Sequence, residues 1–363
     1  MKKNHIYLIG AIGIAAMGLW SCSNDDEPSS NRNTPANAIR FAANTEHNSR
    51  AGDFTTNNLR SFNVYAYTGT GTNPVLFMDN VTVRKNSNNS WTYSPIQYWP
   101  ANDKVDFYAF APSTWIGSSG PLKAIPYDAS EANEDLIYAT SPDMSGNTGS
   151  PNAQVVFNFR HALSKVTVKM SSTNTGLRVQ VSNVAIANIM TRGNFHFPSG
   201  STAEPVADHT VGTWTDQNTP IPYLLHISQT ADDVITLTTT PTDMSATGLG
   251  IGGAKYVIPQ DLVWMSNGTD KDTYITVMCS VYDRASGEKL WPNANTPKDN
   301  IVEGSTFGDG LLKFPLSTSL FTSWRPGYYY TYNLVINSND EMGAIEFGNP
   351  TVEGFVEVNT NYD

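Results

Sequence analysis

Apolar residues in this chain recur at every second position, in runs too short for long helices. "RSFNVYAYTG" puts Phe62, Val64 and Ala66 on one face, and "KVDFYAFAP" does the same with Val105, Phe107 and Ala109. "VVFNF" aligns Val155, Phe157 and Phe159, and "SKVTVKM" sets Val166, Val168 and Met170 against Lys165, Thr167 and Lys169. A period of two sends successive side chains to opposite faces of an extended strand, so each run reads as a strand with one buried face. "LRVQVSNVAIANI" alternates at Leu177, Val179 and Val181 and then changes phase at Asn183. "DVITLTTT", "YVIPQDLVW", "YYYTYNLVI" and "VEGFVEV" continue the series, and turn-rich stretches such as "TGTGTNP" and "PTDMSATGLGIGG" separate the runs. Only "DASEANEDL" (128–136) reads as a short helix, with Asp128 or Ser130 as its cap.

Many short strands with turns between them predict an all-β protein of sandwich type. Of 363 residues, the ordered part exceeds one ordinary sandwich, so two in tandem are expected, over 51–172 and 173–363. The polar break "SSTNTG" (171–176) marks the boundary. "YWPANDKVDFYAF" and "SWRPGYYYTYNL" echo each other weakly across it. Charged residues make up 15% of the chain, against roughly 25% in ordinary soluble domains. Thr, Ser, Asn and Tyr take their place, a mix that suits exposed strand faces. The net charge of −11 repels phosphates, and with no basic patch to reverse it nucleic acid is excluded as a partner.

The chain opens differently. Lys2 and Lys3 precede an uncharged, mostly apolar stretch over residues 6–20, shorter than the ~20 residues needed to cross a bilayer. Residues 1–21 therefore read as a secretory signal. It ends in "LWSC", which resembles the lipobox of bacterial lipoproteins. That resemblance implies cleavage before Cys22 and acylation of its thiol, which would replace the lost apolar segment as an anchor. The alternative is an ordinary secretory signal with a free Cys22. Residues 22–50 begin as the polar tract "SNDDEPSSNRNTPAN", which cannot pack and serves as a tether. Its "NDDE" resembles the surface-export signal of lipoproteins in the Bacteroides group; a solvated linker explains it equally well.

Signals of catalysis are thin. The other cysteine, Cys279, shares a strand face with Ile275, Val277 and Val281 and is expected in the core. With two cysteines there is no disulfide framework. None of His5, His47, His161, His196, His209 and His226 sits at metal-ligand spacing from another. His161 reads as structural, and His196 in "NFHFP" as outward-facing. "GLGIGGAKY" (248–256) leads into a strand and lacks the helix N-terminus that a phosphate cradle uses. Asp270 and Asp272 in "GTDKDT" have calcium-like spacing but read as a solvated turn. No nucleophile elbow, zincin motif or framed carboxylate pair is present. No enzyme, cofactor or metal is expected.

Several stretches together carry a family resemblance: "AIRFAANTEHNSRAGDFTTNNLRSFNVYAYTG" (38–69), "YSPIQYWPANDKVDFYAFAP" (93–112), "DLIYAT" (135–140) and "FNFRHALSKVTVKM" (157–170). In order and spacing they resemble Bacteroides-type fimbrillins of the Mfa-like family over nearly the whole length. The resemblance implies two transthyretin-like β-sandwich domains. It implies an outer-membrane lipoprotein precursor handled by the lipoprotein export machinery and cut by an Arg-specific protease. The mature form would then sit in surface fimbriae, polymerised with other fimbrial subunits by strand exchange.

The residues supply places for these events. Arg50 in "NTEHNSRAGDF" lies in a polar, turn-prone stretch and is followed by the small Ala51 and Gly52, which suits proteolysis. Upstream, "AIRFAA" puts Ile39, Phe41 and Ala43 on one face, the pattern of an edge strand that a cut at Arg50 would free. At the other end, "TVEGFVEVN" aligns Val352, Val356 and Val358, a candidate donor strand, or else the last strand of its own domain. The expected function is a structural subunit of a cell-surface fimbria, shaft or tip. A tip adhesin or surface-glycan-binding lipoprotein, with a host or bacterial surface ligand, is the first alternative. A surface glycoside hydrolase is the second, without a candidate pair of carboxylates.

Overall fold

The computed structural model describes residues 37–45, 54–55, 57–69, 73–116, 120–130, 133–146, 154–245, 254–265, 271–318, 321–337, 346–347 and 351–354. Eight strands come first: β1 (Arg40–Thr45), β2 (Ser61–Thr68), β3 (Val75–Lys85), β4 (Trp91–Thr92), β5 (Val105–Ala111), β6 (Ile125–Asp128), β7 (Ile137–Met144) and β8 (Gln154–His161). Then follow β9 (Ser164–Ser171), β10 (Leu177–His196), β11 (Thr213–Ile227), β12 (Ile235–Thr236), β13 (Thr242–Asp243) and β14 (Lys255–Val257). The last are β15 (Tyr274–Asp283), β16 (Lys289–Trp291), β17 (Gly310–Pro315), β18 (Tyr328–Val335), β19 (Glu346–Phe347) and β20 (Thr351–Gly354). Among the described residues the helices are three single 3-10 turns, so the chain is all-β with several sheets.

The first sheet has seven strands in the order β1-β8-β7-β5-β2-β3-β4. Its inner face gathers the alternating residues of the sequence: Phe62, Val64 and Ala66 from β2, Val105, Phe107 and Ala109 from β5, and Val155, Phe157 and Phe159 from β8. The second sheet runs β11-β10-β15-β16, with β6 and β12 also on β10 and β17 on β15. The third runs β13-β9-β18-β19, with β14 on β9 and β20 on β18. Leu177, Val179 and Val181 from β10, Val166, Val168 and Met170 from β9, and Tyr330, Tyr332 and Leu334 from β18 share one large core.

That core also takes the other face of the first sheet, through Tyr65, Phe110 and Tyr138. The segment Phe195–Gly212 is what lies against it. Tyr138 packs on Phe195 at 5.0 Å between ring centroids, and its hydroxyl accepts from Gly212 N–H at 2.8 Å. The buried Arg160 donates to the carbonyls of Thr210 (2.8 Å) and Glu204 (2.5 Å). Residues 171–176 connect β9 to β10, and β9 pairs in parallel with β18 across some 160 positions, Thr167 opposite Thr331.

The stretch 128–136 differs from the short helix expected. Asp128 ends β6, which pairs with β10, and Oδ1 of Asp128 accepts from both the Ser130 N–H (2.9 Å) and its hydroxyl (2.5 Å). A short acidic side chain that closes on the backbone two residues ahead favours a turn over a helix.

Candidate functional site

The three residues of the expected removable strand share one place in the first sheet, while Val352 lies on β20 in the third. β1 pairs with β8 in parallel, from Arg40 opposite Gln154 to Thr45 opposite Phe159. Ile39, Phe41 and Ala43 are buried in the core of the first sheet, while Arg40 and Ala42 are half-buried on the other side. Alternation explains the choice, because every second side chain must face inward.

The Phe41 ring is the centre of the contact. It stacks on Phe157 at 5.5 Å and 19°, and meets Phe107 (5.9 Å) and Phe62 (6.5 Å) edge-on. Tyr93 tilts against it at 5.2 Å. Gln154 Nε2 donates to the Phe41 carbonyl at 3.1 Å, and Asn44 Nδ2 to Asn158 Oδ1 at 3.3 Å.

The opposite side of β1 is also occupied. Ile39 N–H donates to the Gln97 carbonyl (2.9 Å) and Trp99 N–H to the Asn37 carbonyl (3.1 Å). The Tyr93 hydroxyl donates to the Ile39 carbonyl at 2.9 Å, and burial pushes its pKa up. So β1 fills a slot between β8 and the segment after β4. The slot brings the two ends of the sheet together.

A second feature fixes the chain just beyond. Phe54 N–H donates to Asp135 Oδ2 at 2.8 Å, and His161 Nδ1 lies 2.9 Å from the same carboxylate. Both side chains are 1% exposed. His161 is thus structural, and its partner 26 positions away gave no sequence signal. Thr55 and Asn58 then close a turn, with Thr55 N–H on Asn58 Oδ1 at 2.6 Å, and Leu59 is fully buried.

At the other chain end, β20 pairs antiparallel with β18 of the same chain, Val352 opposite Tyr330. Cys22, Arg50, Ala51, Val356 and Val358 lie outside the described residues, as do most of the glycine run 248–256 and Asp270. Asp272 is buried, and its carboxylate accepts from Met265 N–H at 2.5 Å. Cys279 is fully buried on β15, and burial pushes its thiol far above the ordinary value, which suits a core side chain and not a nucleophile. Among the described residues no group of three or more His, Cys, Asp or Glu is placed to hold a metal ion.

The slot offers backbone ladder and aromatic walls, which is the chemistry for recognising a strand. The fold and the slot together define an all-β protein whose first strand is held in the core of its first sheet. The chain belongs to the fimbrillin-like family, whose model matches residues 49–354. It is a structural, non-enzymatic protein, a fimbrial subunit of the cell surface.

Among solved structures, it is similar to a cell-adhesion candidate from Bacteroides uniformis, with 15% identity, TM-score 0.49, and coverage of 88% of this chain and 98% of that one. A fimbrial protein from Bacteroides vulgatus is similar at 16% identity and TM-score 0.46, over 88% and 99% of the two chains. The tip fimbrial protein Mfa3 from Porphyromonas gingivalis, truncated at its C-terminus, is similar at 9% identity and TM-score 0.44, over 87% and 99%. No curated protein matches the chain.

Proposed function

We propose that the chain is a pilin whose first strand is a removable plug. Residues 1–21 leave as a lipoprotein signal, Cys22 is acylated, and the precursor reaches the outer membrane. An Arg-specific protease cuts after Arg50, and β1 departs. The C-terminal strand of a neighbouring subunit, with Val352, Val356 and Val358 on its apolar face, then fills the slot.

The observation that carries this reading is the seat of β1. Ile39 and Phe41 each contribute roughly 1.5–3 kcal/mol of burial and Ala43 less, so the vacated slot holds enough apolar surface to bind a replacement. The parallel ladder to β8 is slightly weaker per residue than an antiparallel one. A cut also turns an intramolecular contact into one that competes with other strands at their working concentration. The Asp135 clamp on Phe54 keeps the rest of the chain in place. Each contact of strand into slot leaves a further slot open, so the assembly is a filament.

The test combines sequencing with assembly. Polymer purified from cells should begin at Ala51. Protein lacking residues 351–363, mixed with Arg-protease-processed subunits, should stay folded and fail to extend the polymer. Extension at the normal rate would overturn strand exchange, and polymer that begins at Cys22 would overturn the cut.

A further inference from the structure

An open depression of about 420 Å³ lies where β6, β10 and β11 meet. It is remote in chemistry from the β1 slot, since its walls are polar. Tyr127, Asp128, Arg192, Asn194, Asp216 and Asn218 line it, and they come from three separate stretches of the chain.

The charged and amide side chains there are held. Arg192 Nε donates to Asp128 Oδ2 at 2.5 Å, and Asp128 Oδ1 is fixed by Ser130. Burial alone would raise the Asp128 pKa, but the bonds from Ser130 and Arg192 outweigh it and hold the carboxyl below its ordinary value. Asn194 Nδ2 donates to Asp216 Oδ2 at 2.9 Å, and Asn218 Nδ2 to the Asp216 carbonyl at 2.6 Å. The Tyr127 hydroxyl is buried and has no hydrogen-bond partner among the described residues.

The backbone is shaped to present these groups. Arg192 pairs with Asn218 but Asn194 with Thr215, so two residues of β11 face the single Gly193. This is a β-bulge, a device that re-aims a side chain out of the regular alternation. Asp216 sits in it at φ +52°, and Thr219 follows at φ +60°. A β-branched residue in the left-handed region is strained, and such strain collects at binding sites. Gly193 lets the bulge close. A Cβ there would meet the Thr215 carbonyl at 3.3 Å and the Trp214 ring at 3.4 Å.

The donor set selects the ligand. A multivalent cation is opposed by the Arg192 guanidinium already seated on Asp128, and an anion by two carboxylates against one cation. A purely apolar ligand would strip water from the remaining hydrogen-bonding capacity of five polar side chains and return no bond. What remains is a neutral molecule that offers donors and acceptors side by side, with a C–H face for an aromatic ring. We propose that the depression binds a neutral saccharide of one or two rings, with Asp128, Asp216 and the two asparagines on its hydroxyls and Tyr127 against its face. The volume lies at the lower end of ligand sites, roughly 300–1,000 Å³.

The inference does not depend on strand exchange, because binding is read on the unpolymerised chain. The full chain is applied to an array with two arms: host mucin-type O-glycans, and bacterial surface polysaccharides and their neutral fragments. A signal on either arm is expected, and the arm that responds identifies the source. Asp216→Asn keeps a residue that tolerates positive φ, and Arg192→Gln removes the guanidinium. Each should lower the apparent affinity about tenfold, Asp216→Asn by weakening a charge-assisted hydrogen bond to the sugar and Arg192→Gln by releasing Asp128 from its place. Lys104→Gln, at an exposed ion pair of the first sheet, should bind as the parent does. Asn218→Ala, on the exposed side, serves in place of either variant that melts early. Silence on both arms, or undiminished binding by the depression variants, would overturn the proposal.

Discussion

Tyr108 illustrates how much of this molecule rests on phenols taken out of water. Burial first, and then the negative charge of Asp106, push its pKa up to about 12. Tyr93, Tyr330 and Tyr332 are raised as well, in each case chiefly by burial. The unfolded chain loses these protons near pH 10, while the folded chain keeps them to higher pH. Above pH 10 the folded state therefore binds more protons than the unfolded state, and stability falls as pH rises. The contribution is fully present below pH 10 and is lost as pH climbs through 12. Melting curves across that window should drop steeply, and phenolate absorbance of the folded protein should lag that of the urea-unfolded chain. A melting temperature that stays flat from pH 9 to 12 would count against it. Little of this was legible in the sequence. Alternation shows that Cys279 points inward, but it cannot show that the Tyr93 hydroxyl reaches a carbonyl 54 positions upstream.

β1 is the element in which sequence and structure meet most directly. Its period-two pattern alone places Ile39, Phe41 and Ala43 inward, and the phase change at Asn183 reappears as a register shift on β10 between Val181 and Asn183. Its partner is another matter. Parallel pairing with β8 joins residues more than a hundred positions apart, and no local signal encodes such a choice. β6 is similar, since its sequence neighbours lie in the first sheet while it pairs with β10. The depression escapes notice for the same reason: Asp128 and Arg192 are 64 positions apart, and a bulge rather than a motif aims Asp216. A prediction belongs to this scale. Phe41→Ala in the uncut chain should cost roughly 3–5 kcal/mol, as a buried aromatic ring is replaced by a cavity. Urea unfolding would measure it. After cleavage and loss of β1, parent and variant should unfold alike. A difference that persists would mean the strand has not left.

For the molecule as a whole, the question is how the two cores share stability. The inner core of the first sheet stands by itself, but its outer face contributes Tyr65, Phe110 and Tyr138 to the large second core. Arg160 adds a buried guanidinium bound to two carbonyls of the neighbouring segment. Separating the halves would expose that face and strand the charge, which is far costlier than parting two polar surfaces. Calorimetry should therefore show one transition, with calorimetric and van't Hoff enthalpies in agreement. Two resolved peaks would mean the seam is weak.

The clamp at Phe54 has a mechanical consequence. Force applied ahead of Asn37 runs along β1 and loads its ladder to β8 in shear, many bonds at once, before any reaches the clamp on Asp135. Beyond that clamp β2 is shielded. Tension from the N-terminal side would therefore strip the first strand from β8 before it strained the clamp, and the ladder of β1 would act as the molecule's mechanical fuse.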